Sequence, residues 1–262
     1  MIKVNGIELA QGKYPDGSLM CHAPNIDGAV TIEWRYENDG ELFVIQCLRD
    51  HYESQWITLQ IPYCPHARMD RVKNDTDVFT LKSFANIINL MNFDKVAILD
   101  AHSNVAPALI DRCKNINPTP IILTAIENLE QIKGKDNLAL FFPDEGAMKR
   151  YTDYLYRIPF SFGVKKRDWN TGAILSLNIQ DPENIKDKDV LIVDDICSKG
   201  TTFYYSAKAL LEAGAKSVSL YITHCENTIL EGKIFESGLI ERVYTTDSLV
   251  HKEELKEKVI YV

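Results

Sequence analysis

A chain of 262 residues, 45% hydrophobic and 25% charged, can bury one large core or two smaller ones and has the make-up of a soluble globular protein. Its net charge of −8 at pH 7 argues against a general nucleic-acid binder, which needs a basic face, yet leaves room for a phosphorylated ligand held by local donors. The six cysteines include no C-x-x-C pair, and neither a signal-peptide core nor a bilayer-length apolar run is present, so reduced thiols and a cytoplasmic setting are expected.

In chain order, the first part reads as β-rich. VTIEWRY (30–36), ELFVIQCL (41–48) and QWITLQIPY (55–63) carry β-branched and aromatic residues, with a turn signal at Glu37-Asn38-Asp39-Gly40 between the first two. TDVFTLKSFANIINLMN (76–92) places apolar residues at 78, 81, 84, 87, 88 and 91, a helical stripe that Asp75 or Thr76 would cap. KVAILD (95–100) is an apolar strand. IILTAIENLEQI, NLALFFPD, a helix near EGAMKRYTDYLY, IPFSFG, AILSLNI, DVLIVDD, a helix from Thr201 to Ala213 and KSVSLYIT then alternate. This βαβ rhythm predicts an α/β fold with mostly parallel sheets and helices on both faces. KVAILDAHS (95–103) and DVLIVDDICS (189–198) share an apolar strand, a terminal aspartate and a polar loop. Two similar Rossmann-like halves are therefore expected, residues 1–133 and 134–262, divided at the loop marked by Gly134 and Lys135.

The most informative stretch is VLIVDDICSKGTTF (190–203). In open parallel sheets, ligands bind beyond the carboxyl ends of the strands, where Asp194 and Asp195 stand. Neighbouring carboxylates there suit either a vicinal diol or a hydrated divalent cation. The loop Ser198-Lys199-Gly200-Thr201-Thr202 runs into a helix. Its backbone N–H groups, hydroxyls and a glycine that permits a tight bend form an anion cradle. A diol reader beside a phosphate cradle describes ribose 5-phosphate.

These residues resemble the phosphoribosyl-pyrophosphate loop shared by type I phosphoribosyltransferases and ribose-phosphate pyrophosphokinases. Other segments resemble the latter family, in its order. IPYCPHARMDR (61–71) is similar to its ATP-binding stretch, VAILDAHS (96–103) to its strand ending in a metal-binding histidine, and FPDEGAMKR (142–150) to the segment whose aspartate lies at the metal. VKKRD (164–168) is similar to its catalytic K-x-R pair and YENDGE (36–41) to its adenine-contacting loop. THCEN (223–227) and YTTDSL (244–249) fall where the family has similar segments.

The resemblance implies a Mg²⁺-dependent enzyme that moves diphosphate from ATP to the C1 hydroxyl of ribose 5-phosphate, giving phosphoribosyl pyrophosphate and AMP. It implies Lys165 and Arg167 as catalytic, with Lys166 the alternative to Lys165; Asp194, Asp195, Ser198, Lys199, Gly200, Thr201 and Thr202 on the sugar phosphate; Arg68, Asp70, Asp39 and Glu41 on ATP; and His102 and Asp144 on Mg²⁺. It also implies a homo-oligomer, dimer or hexamer, with neither nucleic acid nor membrane as partner. Without the resemblance, Lys165 and Arg167 read as an exposed basic strip. A phosphoribosyltransferase that consumes phosphoribosyl pyrophosphate is the enzymatic alternative, and a non-catalytic regulatory subunit the other.

Three departures stand out. The loop reads C-S-K-G-T-T where the family more usually has D-T-A-G-T, so Lys199 adds a cation suited to tighter phosphate binding or to a 5′-extended acceptor such as ADP-ribose, which would tie the chain to NAD metabolism. Glu37 falls where the family stacks an aromatic on adenine, with Tyr36 one position away. KEELKEKVIYV (252–262) reads as a short amphipathic remnant of the family's C-terminal helix.

Overall fold

The computed structural model describes residues 1–155, 157–167 and 174–262, with the side chains of 165–167 and 174–177 outside the description. The chain separates into two compact units, Met1–Asn117 with Ser248–Val250, and Pro118–Asp247 with His251–Val262. Each is an α/β unit with a mostly parallel sheet.

The first unit opens with strands β1 (Ile2–Val4), β2 (Ile7–Glu8) and the antiparallel pair β3 (Ala10–Lys13) and β4 (Leu19–His22). It continues with β5 (Val30–Trp34), α1 (Glu41–His51), β6 (Ile57–Ile61), α2 (Thr80–Leu90), β7 (Lys95–Leu99), α3 (Val105–Leu109) and β8 (Cys113–Ile116). Strands β5, β6, β7 and β8 are parallel neighbours in that order, with β1 antiparallel on the β5 edge and β2 beyond it.

Residues 41–48, expected as a strand, form helix α1. Glu41, Val44, Ile45 and Leu48 are buried at i, i+3, i+4 and i+7, while Phe43 is 65% exposed. That is the period of a helix stripe, and it overrides the β-branched and aromatic composition. Helix α2 begins at Thr80 rather than near 76, after Phe79, and neither Asp75 nor Thr76 caps it. Its buried Leu81, Phe84 and Ile88 belong to the predicted stripe, which Ala85 widens, whereas Val78 and Ile87 of that stripe are 66% and 40% exposed.

The second unit contains α4 (Thr119–Lys133), β9 (Leu138–Phe142), α5 (Glu145–Leu155), β10 (Phe160–Arg167) and β11 (Ile174–Gln180). After these come β12 (Asp189–Cys197), α6 (Thr201–Glu212), β13 (Ser217–Cys225), β14 (Val243–Thr245), α7 (Glu253–Lys256) and β15 (Ile260–Tyr261). The strand order is β11-β10-β9-β12-β13-β14-β15, parallel except for the β10–β11 hairpin. Strands β9 and β13 are buried along their whole length, as expected of strands covered on both faces. Period-two alternation splits that burial between two layers. Leu138, Leu140, Phe142, Leu191 and Val193 pack with α4 and α5, whereas Ala139, Phe141, Val190 and Ile192 pack with α6.

The division expected between residues 133 and 134 therefore differs from the observed one by a helix. Gly134 does end α4, with φ of 92°. But Ile122, Ala125, Ile126 and Leu129 of α4 pack against β9, α5 and β12, so the helix belongs to the second unit. The C-terminal segment also departs from the amphipathic-helix expectation. Only Glu253–Lys256 is helical, and Ile260–Tyr261 adds a parallel strand beside β14. His251 fixes this end, with Nδ1 2.6 Å from the Tyr261 hydroxyl and Nε2 2.8 Å from the Cys225 carbonyl oxygen. No helix among the described residues is long and apolar enough to cross a membrane.

Leu129 is 1% exposed. Leu129→Ala is expected to lower the unfolding free energy by about 2–5 kcal/mol, measured by urea titration; a change within 0.5 kcal/mol, the usual range for surface substitutions, would show that α4 is not part of this core.

Candidate functional site

The second sheet changes direction between β9 and β12. The chain leaves β9 through α5 to reach β10 on one side, and leaves β12 through α6 to reach β13 on the other. Such a switch point opens a crevice at the carboxyl ends of the two strands. Asp144 stands two residues past the end of β9, and Asp194 and Asp195 lie near the carboxyl end of β12. The topology thus brings together three of the residues singled out in the sequence.

Their electrostatics are strained. Asp195 is 3% exposed, and its Oδ2 lies 3.2 Å from Nη1 of Arg150 on α5. Asp194 accepts the Asp195 backbone N–H through Oδ1 at 3.0 Å. Burial pushes the Asp194 carboxyl well above its usual range, and the Asp195 charge, a hydrogen bond with that carboxyl and the Asp144 charge add to the shift. Asp144 caps the start of α5, its Oδ1 accepting the Ala147 N–H at 3.1 Å. Carboxylates crowded in this way favour a ligand that brings positive charge or hydrogen-bond donors. Asp144 offers the hard oxygen a magnesium ion prefers, so the residues present fit that ion.

No motif predicted Arg150. One signal was available. On a helix starting at Glu145, positions 147, 150 and 151 share a face, and Ala147 and Tyr151 are both buried. An arginine on that inward face needs a partner, and Asp195 supplies it.

The anion loop lies between β12 and α6. Gly200 caps the helix in the left-handed conformation, φ 72° and ψ 16°. A side chain there would be strained, and its Cβ would also fall 2.5 Å from Cγ1 of the buried Ile234. The N–H groups of the first helical turn, at Thr201, Thr202 and Phe203, have no intrahelical acceptors. Ser198 Oγ lies 3.0 Å from Thr228 Oγ1, which donates to Glu226 Oε2 at 3.1 Å. Lys199 Nζ is 3.0 Å from Glu231 Oε2. Sequence reasoning did not single out Thr228 or Glu231, and Glu226 entered it only within THCEN (223–227).

In the first unit, the turn at 36–41 and the segment at 66–71 are each held by carboxylates. Glu41 is 8% exposed. Its Oε2 accepts Trp34 Nε1–H at 2.8 Å and the Glu37 N–H at 2.8 Å, and its Oε1 lies 3.1 Å from the terminal ammonium. Burial raises its pKa, but the Trp34 and Glu37 hydrogen bonds and the ammonium outweigh burial and leave it below the ordinary value. Glu41 thus anchors the turn from within. Asp39 is exposed, with Tyr36 Oη donating to it at 3.0 Å and His66 Nε2 3.0 Å away. Burial and the bond to Asp39 push the Tyr36 phenol up to about 12, so it stays a donor. Asp70 takes a two-pronged guanidinium from its neighbour Arg71, with Nε and Nη2 at 2.8 and 3.2 Å. The Arg71 hydrogen bond is the main cause of the lowered Asp70 pKa, against opposing burial and with help from Ser103 and the His102 charge. His102, in the turn after β7, is thereby placed close to Asp70. Arg68 is exposed.

Lys165, Lys166 and Arg167 lie on β10, whose register to β11 shifts between Lys166 and Arg167; their side chains lie outside the described residues.

A family model described as the phosphoribosyl transferase domain matches residues 114–234. The ribose-phosphate pyrophosphokinase of Campylobacter jejuni is 31% identical over 225 residues, covering 84% of this chain and 70% of that protein. Ribose-phosphate pyrophosphokinase 2 of Archaeoglobus fulgidus is 28% identical over 253 residues, covering 93% and 86%. Among solved structures, the phosphoribosylpyrophosphate synthetase of Mycobacterium smegmatis shares the fold, with a TM-score of 0.78 at 18% identity over 97% of this chain and 85% of that one.

The raised Asp194 pKa yields a signed prediction. A carboxyl whose folded pKa exceeds its unfolded one binds its proton more tightly in the folded state. Stability is then greatest below the unfolded value, about 3.9, and falls as pH rises toward the folded value. Asp194→Asn removes this loss. Its melting temperature should match that of the wild type at the acid end of a pH series and exceed it at pH 8; a constant offset at all pH values would contradict the assignment.

Proposed function

The chain belongs to the ribose-phosphate pyrophosphokinase family, and on that premise we propose that it transfers diphosphate from ATP to the C1 hydroxyl of ribose 5-phosphate. The observation that carries this reading is the meeting of Asp144, Asp194, Asp195 and Arg150 at the sheet's switch point, with a left-handed glycine loop leading into α6 from the same strand.

In this reading Asp194 and Asp195 accept hydrogen bonds from the ribose 2- and 3-hydroxyls, and Arg150 fixes the Asp195 carboxylate. Residues 198–202 take the 5-phosphate on backbone N–H groups and hydroxyls, with Lys199 as a flanking cation. In the first unit Arg68 and Asp39 contact ATP, while Glu41 and Asp70 act mainly by holding the turn and Arg71 in place. The C1 oxygen attacks the β-phosphorus, the bond between that phosphorus and the oxygen bridging to the α-phosphorus breaks, AMP leaves with that oxygen, and the hydroxyl proton passes to water. Lys165 and Arg167, with Lys166 the alternative to Lys165, neutralise charge on the transferring phosphoryl oxygens, where this class of reaction gains most.

Asp144 in the second unit and His102 in the first are each proposed as a Mg²⁺ contact, and Mg²⁺ would supply further charge neutralisation on the phosphates. Among the described residues no group of three or more His, Cys, Asp or Glu side chains is arranged to hold a metal by itself. Lys199 is the feature that favours a second acceptor, a sugar with a 5′-diphosphate such as ADP-ribose. A homo-oligomer working in the cytoplasm completes the reading.

The test is a kinetic split measured as AMP formation. Asp195→Ala should raise KM for ribose 5-phosphate by about tenfold or more, the effect of losing a charged hydrogen-bond acceptor, and leave KM for ATP within about twofold. An unchanged sugar KM would overturn the diol assignment.

A further inference from the structure

The connection from β13 to β14 crosses directly over the anion loop, and its sequence, ENTILEGKI (226–234), contains none of the motifs that identify the loop. Four contacts tie the two together. The Glu226 N–H donates to the Cys197 carbonyl at 2.8 Å. Thr228 meets Ser198 hydroxyl to hydroxyl, as described. Ile234, fully buried, fills the space that a side chain on Gly200 would need. Gly232 abuts the backbone of Lys199 so closely that a Cβ on it would overlap the Lys199 carbonyl oxygen. Gly232 itself has φ −99° and ψ −170°, extended backbone open to any residue, so only the lack of space calls for glycine here.

This strap is acidic where it faces the loop. Glu231 pairs with Lys199, the loop's one cation, and the side chains of the pair are 60% and 58% exposed. Glu226 closes the hydrogen-bond chain that begins at Ser198. Two groups suited to an anion are thus already engaged by carboxylate-linked partners. An ion pair this exposed is weak and screened by salt, so an arriving dianion can displace it.

We infer that the strap Glu226–Ile234 positions the anion loop, and that its Glu231 is a specificity-determining residue that holds Lys199 until the sugar's anionic group displaces it. The inference rests on the reading that this loop takes the 5-phosphate. It gives Lys199 a defined partner in the absence of substrate and places a negative charge where any larger anionic substituent on C5 would have to be accommodated.

The experiment compares wild type, Glu231→Gln and Gly232→Ala in steady-state AMP formation. Glu231→Gln should lower KM for ribose 5-phosphate by about threefold, the scale of an exposed ion pair, and the gain should vanish near 0.5 M KCl. Its kcat and its KM for ATP should not move. Gly232→Ala should raise the sugar KM by about ten- to a hundredfold through displacement of the loop, with KM for ATP unchanged. If that variant fails to fold, Glu231→Gln still decides. An equal or higher sugar KM in Glu231→Gln, or parallel changes in kcat and ATP KM, overturns the inference. If the wild type turns over no ribose 5-phosphate, the functional reading falls instead. Inorganic phosphate, followed by ³¹P line broadening, then tests the strap alone, and equal affinity in wild type and Glu231→Gln overturns it.

Discussion

Three carboxylates gathered at one sheet crevice cannot all be ionised cheaply, and the second unit is arranged around that constraint. Strands β9 and β12 are adjacent and parallel, so their carboxyl ends coincide, and the chain departs from them in opposite directions. Asp144 and the Asp194–Asp195 pair meet there as a consequence of topology. Arg150 offsets one charge, and Asp194 bears the remaining repulsion as a raised pKa. The cluster costs stability in the free protein, which is the expected mark of a site whose ligand brings the compensating groups.

A second constraint is steric. The loop between β12 and α6 bends left-handed at Gly200 and is closely covered by another segment. That cover is the strap after β13, and its own glycine is needed because the backbones nearly touch. The wall of the site is thus built from two stretches some thirty residues apart, one carrying the family pattern and the other carrying the polar partners of Ser198 and Lys199.

Much of this was legible in the sequence. The run VLIVDD announces a strand buried on both faces and ending in acids, and the structure has it as β12. Segments 95–100 and 201–213 also hold their expected types within a residue at each end. Residues 41–48 were misread because composition was weighed above period: the spacing of Glu41, Val44, Ile45 and Leu48 was present in the letters. The unit boundary was misplaced because a glycine loop is a local signal, whereas the packing of Ile122, Ala125, Ile126 and Leu129 depends on residues far along the chain. Arg150 and the strap were missed for a related reason. Their roles come from partners across the fold, Asp195 for one and the Lys199 backbone for the other, and no short pattern records such a partner.

Glu41 and Asp70 are motif residues whose carboxylates are engaged within the protein. Each falls in a segment that resembles an ATP-binding stretch, and each has its carboxylate engaged by Trp34 and the terminal ammonium, or by Arg71. They shape the surface on which Asp39 and Arg68 stand exposed. The central claim is that the crevice and its loop hold a ribose phosphate while its C1 oxygen receives a diphosphate unit. A ³¹P NMR time course with ATP, Mg²⁺ and ribose 5-phosphate tests it most directly. The account predicts loss of the three ATP resonances and joint growth of AMP and of a diphosphate attached to C1, with the 5-phosphate retained. Formation of ADP, or release of free pyrophosphate with the sugar unchanged, would contradict it.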